Sequence, residues 1–237
     1  MLAIVDICIP STAEKQLRER GFEVQKLPPH PSLPPPVASH PDMLLFFAPD
    51  TIFCTKSYQR IAAKELDRLS AYCQKPILTV EEETSDRYPH DILLNAAPIG
   101  KRLFCLPSHT ARALTACSAY EVVPVRQGYA KCSTLPVGKD ALITEDASIA
   151  HAAEEQGLEV LRVSSHAVGL AGYDTGFLGG ASSFAPYGGC RQILFCGKLD
   201  SHPNASDIRK FCNDRGFETM SLSDIPLTDV GTMFLVQ

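Results

Sequence analysis

The chain has 237 residues, 45% apolar and 21% charged, and its 22 basic and 27 acidic side chains give a net charge of −5. This composition is typical of a globular protein, and a net negative chain without runs of Lys and Arg does not favour nucleic acid as a partner. The longest apolar runs, such as Met43 to Ala48, are too short to cross a bilayer, so no membrane partner is expected. Asp6 interrupts the position where a signal peptide needs apolar residues, and we predict a cytoplasmic protein.

The nine cysteines form no Cys-x-x-Cys pair. The sequence therefore predicts neither a zinc ribbon nor a disulfide framework, and we expect no metal and no cofactor.

Short apolar runs ending in Phe-Cys recur along the chain, and each is predicted to be a β-strand. They are Ile52–Cys54, Leu103–Cys105 and Leu194–Cys196, with Asp6–Ser11 as a related copy around Cys8 and Ala141–Thr144 as a fifth copy with Thr144 in the Cys place. Because Cys8, Cys54, Cys105 and Cys196 share one repeat position, we expect all four to be core residues.

A helical pattern follows each copy. In chain order the predicted helices are Ala13–Arg20, Tyr58–Tyr72, His109–Cys117, Ile149–Gln156 and Ser206–Arg215. Three of them end at glycines suited to a left-handed C-cap, Gly21, Gly157 and Gly216. The predicted closing strands are Gly21–Val24, Lys75–Val80, Ala119–Val122, Gly157–Val160 and Gly216–Thr219. The predicted opening strands are Met43–Phe47, Ile92–Ala96, Cys132–Val137, Gly176–Gly180 and Met233–Val236.

The repeated unit is therefore ββαβ, and the first unit is split because its opening strand comes from the end of the chain. A split unit closes the array into a ring, which removes free sheet edges. We predict one α/β domain over residues 1–237, a five-bladed α/β propeller with pseudo-fivefold symmetry. The alternative is a doubly wound α/β sandwich, which does not require both chain ends in one unit.

Polar residues stand near the ends of the predicted opening strands: His40 and Asp42, Asn95, Lys131 with Cys132 and Ser133, and Asp174 with Gly179, Gly180 and Ser182. His40-Pro-Asp42, Cys132-Ser-Thr134 and Gly179-Gly180 are similar to three motifs of one family. Together with the ring of ββαβ units, they resemble the pentein superfamily of guanidino-group-modifying enzymes. The cyclic order of the three motifs also agrees with that family, although the linear order is permuted.

The resemblance implies chemistry on a C–N bond of a small polar guanidine- or amidine-like molecule, by hydrolysis or amidino transfer. Cys132 would attack as a thiolate beside Lys131, and His40 would protonate the leaving amine and then activate water. Asp42 and Asp174 would pair with substrate N–H groups. The remaining polar and glycine residues near the predicted opening strands would complete the binding site: Asn95, Ser133, Gly179, Gly180 and Ser182. Leu178 stands where the family motif has Glu, so one carboxylate is missing unless Asp174 replaces it.

Each of these residues also has a structural interpretation. Cys132 is also explained as a buried structural thiol, Asp42 as a turn or strand-entry residue and His40 as a loop or surface histidine. Gly179 and Gly180 could mark tight packing at a crowded centre rather than an anion site. A non-catalytic binding or protein-interaction module on the same fold is therefore the alternative function, and the sequence does not set the oligomeric state.

Overall fold

Every described strand belongs to one of five sheets, each with three strands in the same arrangement. The computed structural model describes residues 1–187 and 190–236, without the side chains of residues 185–190. The sheets are β15 (Phe234–Val236), β1 (Leu2–Asp6) and β2 (Glu23–Leu27); β3 (Phe46–Phe47), β4 (Ile52–Thr55) and β5 (Ile77–Val80); β6 (Ala97–Ile99), β7 (Arg102–Cys105) and β8 (Glu121–Pro124); β9 (Thr134–Pro136), β10 (Ala141–Thr144) and β11 (Glu159–Arg162); β12 (Ser182–Tyr187), β13 (Cys190–Phe195) and β14 (Glu218–Ser221).

The middle strand of each sheet pairs antiparallel with the opening strand and parallel with the closing strand. In the first sheet, Leu2 pairs with Val236 and Ile4 with Phe234, so the two ends of the chain share one unit. The doubly wound alternative is wrong, because no sheet of the described chain has more than three strands.

Helices connect the middle strand of each sheet to its closing strand. They are α1 (Ser11–Glu19), α3 (Lys56–Ile61) with α4 (Ala63–Cys73), α5 (Arg112–Thr115), α6 (Ala147–Glu155) and α7 (Ala205–Asn213); a further short helix, α2 (Pro41–Leu44), precedes β3. The backbones of Gly21, Gly157 and Gly216 have φ angles of 81°, 71° and 75°, which confirms the predicted left-handed positions after α1, α6 and α7. None of the described helices is long and apolar enough to cross a membrane.

Five hydrophobic clusters join neighbouring sheets and close a cycle of contacts. The first to second, second to third, third to fourth, and fourth to fifth sheets share one cluster each. The fifth cluster packs Leu194 and Cys196 of the last sheet against Ala3 and Val5 of the first. The core is therefore distributed between the sheets, and the last sheet packs on the first.

The predicted opening strands lie too early in the chain in four units. Ile92 and Leu94 are buried but lie in a turn before β6, and Met43 and Leu44 are buried in α2. Gly176–Gly180 also precedes its strand, which begins at Ser182, and Cys132 precedes β9 by two residues. The apolar residues at these positions correctly indicated that they are buried, but a buried segment need not be a strand.

One cysteine prediction is also wrong. Cys54, Cys105 and Cys196 are fully buried, whereas Cys8 is exposed. Pairing aligns Ile4 with Phe53, Phe104 and Phe195, because each lies opposite the first residue of its opening strand. The residue equivalent to the three buried cysteines in the first unit is therefore Val5, and in the fourth unit, where Thr144 lies opposite Thr134, it is Glu145 rather than Thr144.

Candidate functional site

Four units place one residue at the same point, two positions before the opening strand. These residues are Asn95, Cys132, Gly180 and Thr232, ahead of β6, β9, β12 and β15. The second unit contributes Asp42 from the first turn of α2 instead. Pro41 occupies the first helical position, where its fixed φ is suited to helix initiation, so His40 and Asp42 flank the start of this helix.

Hydrogen bonds join these segments in a closed cycle that passes through all five units. In order, the donors and acceptors are Thr232 N and Gly180 O (2.8 Å), Gly180 N and Cys132 O (2.9 Å), Cys132 N and Asn95 Oδ1 (3.3 Å), Asn95 Nδ2 and Asp42 O (3.3 Å), and Asp42 N and Gly231 O (3.0 Å). The cycle fixes the positions of the side chains that it carries, because each segment is held by the units on both sides.

The Cys132 thiol lies at the centre of this network and is 3% exposed as a residue. Its Sγ donates to Asp42 Oδ2 at 3.1 Å and accepts from Asn95 Nδ2 at 3.1 Å. Burial, together with the carboxylates of Asp42 and Asp229, raises the pKa of the Cys132 thiol well above its ordinary value. The thiol is therefore neutral and has a carboxylate in position to accept its proton.

His40 lies between two buried carboxylates. Its Nε2 is 3.7 Å from Asp6 Oδ2, and its Nδ1 is 3.9 Å from Asp229 Oδ1. Asp229 is fixed by two backbone donors, Phe177 N at 2.9 Å and Gly231 N at 2.9 Å. Burial raises the pKa of Asp229, and the charge of His40 acts in the opposite direction. An imidazole held between two carboxylates is suited to carrying and transferring a proton.

A cavity of about 140 Å³ brings His40, Cys132 and Asp229 together. Its remaining walls are largely apolar and aromatic: Val37, Tyr129, Leu170, Tyr173, Thr175 and Phe177. Tyr129 donates its phenol proton to the buried Asp91 at 2.5 Å, which fixes its ring against Phe177 and Tyr88. Tyr173 is 45% exposed, so this side chain marks where the cavity reaches the surface.

Lys131 adjoins Cys132 in the chain but does not line this cavity. Its Nζ donates to Thr232 Oγ1 at 2.8 Å, and Thr232 Oγ1 in turn donates to Asp42 Oδ2 at 2.9 Å. A chain of hydrogen bonds therefore runs from the Lys131 amine through Thr232 and Asp42 to the Cys132 thiol.

The remaining predicted site residues have different surroundings. Asp174 is exposed and is not part of the cavity wall, although its neighbours in the chain, Tyr173 and Thr175, both line it. Ser182 is buried, and its hydroxyl donates to Gly179 O at 3.3 Å. Ser133 is fully buried, and its hydroxyl has no partner among the described residues.

The glycine pair packs too closely for side chains. A Cβ added at Gly180 would overlap the Asp229 carboxylate, and one added at Gly179 would overlap the backbone oxygens of Thr134 and Cys132. These contacts favour the tight-packing interpretation of Gly179 and Gly180 over an anion site.

Sequence reasoning missed Asp6, Asp229 and Thr232 around the site, and also the hydroxyl residues of the cavity wall, Tyr129, Tyr173 and Thr175. Thr232 could have been found, because it holds the same position before its opening strand as Asn95 and Cys132. Asp229 enters from the first unit beside Gly180, whereas Leu178 is fully buried in an apolar cluster. Asp229 thus provides a carboxylate in the cavity, which was expected from Asp174.

The described residues contain no group of three His, Cys, Asp or Glu side chains arranged to hold a metal ion.

Comparison with known proteins gives one family and one fold. The model of DUF6873, described as a family of unknown function, matches residues 4–234. No curated protein matches the sequence.

Several solved structures share the fold at low sequence identity. A dimethylarginine dimethylaminohydrolase (DDAH) from Pseudomonas aeruginosa, a cysteine-to-serine mutant complexed with citrulline, is 10% identical with a TM-score of 0.54, over 93% of this chain and 91% of that one. A histidine-to-glycine variant of a dimethylarginine dimethylaminohydrolase, an adduct with S-methyl-L-thiocitrulline, is 11% identical with a TM-score of 0.53, over 93% and 91%. A third structure, an adduct with 4-chloro-2-hydroxymethylpyridine, is 11% identical with a TM-score of 0.51, over 95% and 92%. The pentein resemblance is thereby confirmed for the fold.

Proposed function

We propose that this chain, which belongs to the DUF6873 family, cleaves a C–N bond of a small amidine- or guanidine-like cation through a covalent intermediate on Cys132. One observation carries the proposal: Cys132, His40 and Asp229 line the same cavity, with Asp42 bonded to the thiol. A nucleophile, a proton donor and two carboxylates are the groups that this chemistry requires.

The first step begins with proton transfer from Cys132 Sγ to Asp42. A substrate cation beside the sulfur stabilises the thiolate and so offsets the burial that raises the pKa of the thiol. The thiolate then attacks the central carbon of the cation, and the C–N bond to the leaving amine breaks as His40 donates a proton to that nitrogen. Asp229 lies in position to pair with the substrate N–H groups.

The second step releases Cys132. Water, deprotonated by His40, attacks the carbon of the thioimidate or thiouronium intermediate. The C–S bond then breaks, and Asp42 returns its proton to Sγ to restore the thiol. An acceptor amine in place of water gives amidino transfer with the same residues. The aromatic walls formed by Tyr129, Tyr173 and Phe177 favour a compact cation with an apolar body, because aromatic faces attract cations.

The proposal extends to the arrangement of the sheets and to the cellular location of the protein. The five sheets act as blades of a propeller with pseudo-fivefold symmetry, an arrangement supported by the cyclic hydrogen bonds and the cyclic cores. We place the protein in the cytoplasm, since the eight described cysteines all carry free thiols, as in a reducing compartment. Its proposed partner is a small polar molecule, because His40, Cys132 and Asp229 line the cavity.

Selective alkylation tests the proposal. Cationic 2-chloroacetamidine and neutral iodoacetamide are compared on the intact protein, with mass spectrometry of Cys132 and of exposed Cys8 as the internal reference. We expect chloroacetamidine to label Cys132 at least tenfold faster than Cys8, and iodoacetamide to show the reverse preference. Saturating acetamidine should protect Cys132 alone.

Two variants assign the roles. His40→Ala and Asp229→Asn should each slow chloroacetamidine labelling of Cys132 by about tenfold or more, while Asp174→Asn, which removes an exposed carboxylate, should leave it unchanged. Melting temperatures identify variants that fail to fold, and the wild-type protection experiment does not depend on them. Equal labelling of Cys132 and Cys8 by both reagents would contradict the proposal and favour the non-catalytic binding module, in which the Asp42–Cys132 bond is only structural.

A further inference from the structure

A second cavity, of about 230 Å³, lies against the opening strands β3, β9, β12 and β15. Its wall is mainly apolar and includes Phe47, Leu135 and Phe234, with the rings of Phe47 and Phe234 in contact at 4.4 Å. It shares no lining residue with the cavity that contains Cys132.

Among the described residues of this second wall, Lys131 supplies the one charged side chain. Within residues 1–187 and 190–236, its amine forms a single hydrogen bond, to Thr232 Oγ1, and no carboxylate oxygen lies within 4.0 Å of it. An ammonium group has three N–H donors, so two remain available. A partly buried cation beside apolar walls is costly unless an anion pairs with it.

Burial lowers the pKa of the Lys131 amine, and the charges of Asp42 and Asp229, with that of Cys132 when it is ionised, act in the opposite direction. Asp42 is reached only through Thr232, and Cys132 and Asp229 line the other cavity. The charge of Lys131 is therefore balanced at a distance and not by a direct partner.

We infer that the second cavity binds a compact monocarboxylate with an apolar body, whose carboxylate pairs with Lys131 and whose body packs against Phe47 and Phe234. A carboxylate supplies the anion that the amine lacks, and two aromatic rings and Leu135 match an aliphatic or aromatic body of the size of hexanoate or benzoate. A dianion or a polar sugar acid fits the apolar wall poorly. This cavity is separate from the one in which the proposed reaction takes place, because Lys131 and Cys132, consecutive in the chain, line different cavities.

Protection of Lys131 in the wild-type protein provides the first test. Reductive methylation of individual lysines is followed by mass spectrometry with increasing benzoate or hexanoate. We expect saturable protection of Lys131 by at least fivefold, with no protection of Lys139, whose side chain is 84% exposed. Benzamide, which has the same body without the charge, should protect at least tenfold less well. Unchanged methylation of Lys131 at saturating benzoate and hexanoate overturns the inference.

Calorimetric titration of variants provides the second test. Lys131→Met should weaken benzoate binding at least tenfold, Lys131→Arg should retain most of it, and Cys132→Ser should leave it unchanged. Binding that survives in Lys131→Met would show that the carboxylate lies elsewhere. Binding that is lost in Cys132→Ser but kept in Lys131→Met would assign the ligand to the other cavity.

Discussion

Replacing Asp42 by Asn should make Cys132 more reactive toward a neutral reagent and less reactive toward a cationic one. Asp42 Oδ2 accepts the thiol proton at 3.1 Å, and its charge is among the causes that raise the pKa of Cys132. An amide in its place removes the repulsion felt by the thiolate and provides an N–H that can bond to the sulfur. The same substitution removes a negative charge that attracts a substrate cation.

The size of the effect follows from the geometry. With the charge centres of thiolate and carboxylate about 4 Å apart, an effective dielectric constant of about 20 gives a repulsion of about 4 kcal/mol. At about 1.4 kcal/mol per factor of ten, loss of that repulsion lowers the pKa of the thiol and raises the thiolate population at a given pH by about 1000-fold. Because nucleophilicity falls with thiol pKa with a Brønsted coefficient of about 0.5, the net gain in rate at constant pH below the pKa is about 30-fold.

The assay measures the rate of Cys132 alkylation by iodoacetamide between pH 7 and 9 in wild type and Asp42→Asn, with Cys8 as the internal reference. Asp174→Asn is the matched control, since it removes an exposed carboxylate outside the cavity wall. We expect the iodoacetamide rate to rise about 10- to 30-fold, and the chloroacetamidine rate to rise less or to fall. An Asp42→Asn protein that is folded and shows slower labelling with both reagents would refute the electrostatic reasoning.

Two further predictions concern stability. Burial raises the pKa of Glu145 to about 8, so the folded state retains a proton that the unfolded state loses above pH 4.5, and stability falls as pH rises between these values. Glu145→Gln should remove this loss. Relative to wild type, we expect the free energy of unfolding of the variant, measured with urea, to rise by a few kcal/mol at pH 8 and to change little at pH 4.5. An equal effect at both pH values would contradict the burial of the carboxyl group. Gly180→Ala should cost more than about 3 kcal/mol or prevent folding, because the new methyl overlaps Asp229, whereas Gly157→Ala, which has open space but a φ of 71°, should cost about 1 kcal/mol. Equal melting temperatures for the two alanine variants would show that the Gly180 backbone can move away.

The order of the units could be predicted from the sequence because the same residue types recur at the same points of each unit. Phe-Cys lies within one residue of the end of three middle strands, and glycine follows three helices in the left-handed conformation. Both patterns are local in the sequence, so they can be recognised without knowledge of the tertiary structure. The pairing of the two chain ends followed from counting units, and it agrees with the Leu2 to Val236 register.

Positions at the ends of strands were less predictable. The alignment of Cys8 with Cys105 rested on similar neighbouring residues, Ile-Pro-Ser and Leu-Pro-Ser, but β1 ends at Asp6, so Cys8 lies beyond the core. A shift of one residue in the opposite direction assigned Thr144 instead of Glu145 to the repeated core position. No local pattern fixes where a buried turn becomes a strand, because both are apolar.

The candidate site was predictable only where its residues lie just before opening strands. Cys132, Asn95, His40 and Asp42 were found in this way, whereas Asp229 comes from a loop whose approach to Gly180 depends on packing. Asp174 looked equivalent in the sequence, yet its side chain lies on the surface. The direction of a loop side chain depends on tertiary contacts, which a single sequence does not reveal.

The pairing of β1 with β15 has a consequence for how the protein folds. Leu2 pairs with Val236, so this contact closes the longest loop in the chain and carries the greatest loop-closure entropy. The segment that brings β15 into place also carries Asp229 and Thr232. A folding intermediate with the other four sheets formed would expose Cys132 without two of its polar neighbours. Closure of the chain and completion of the site are therefore expected to be one kinetic event, so a slow last phase of refolding should also be the phase in which Cys132 becomes protected.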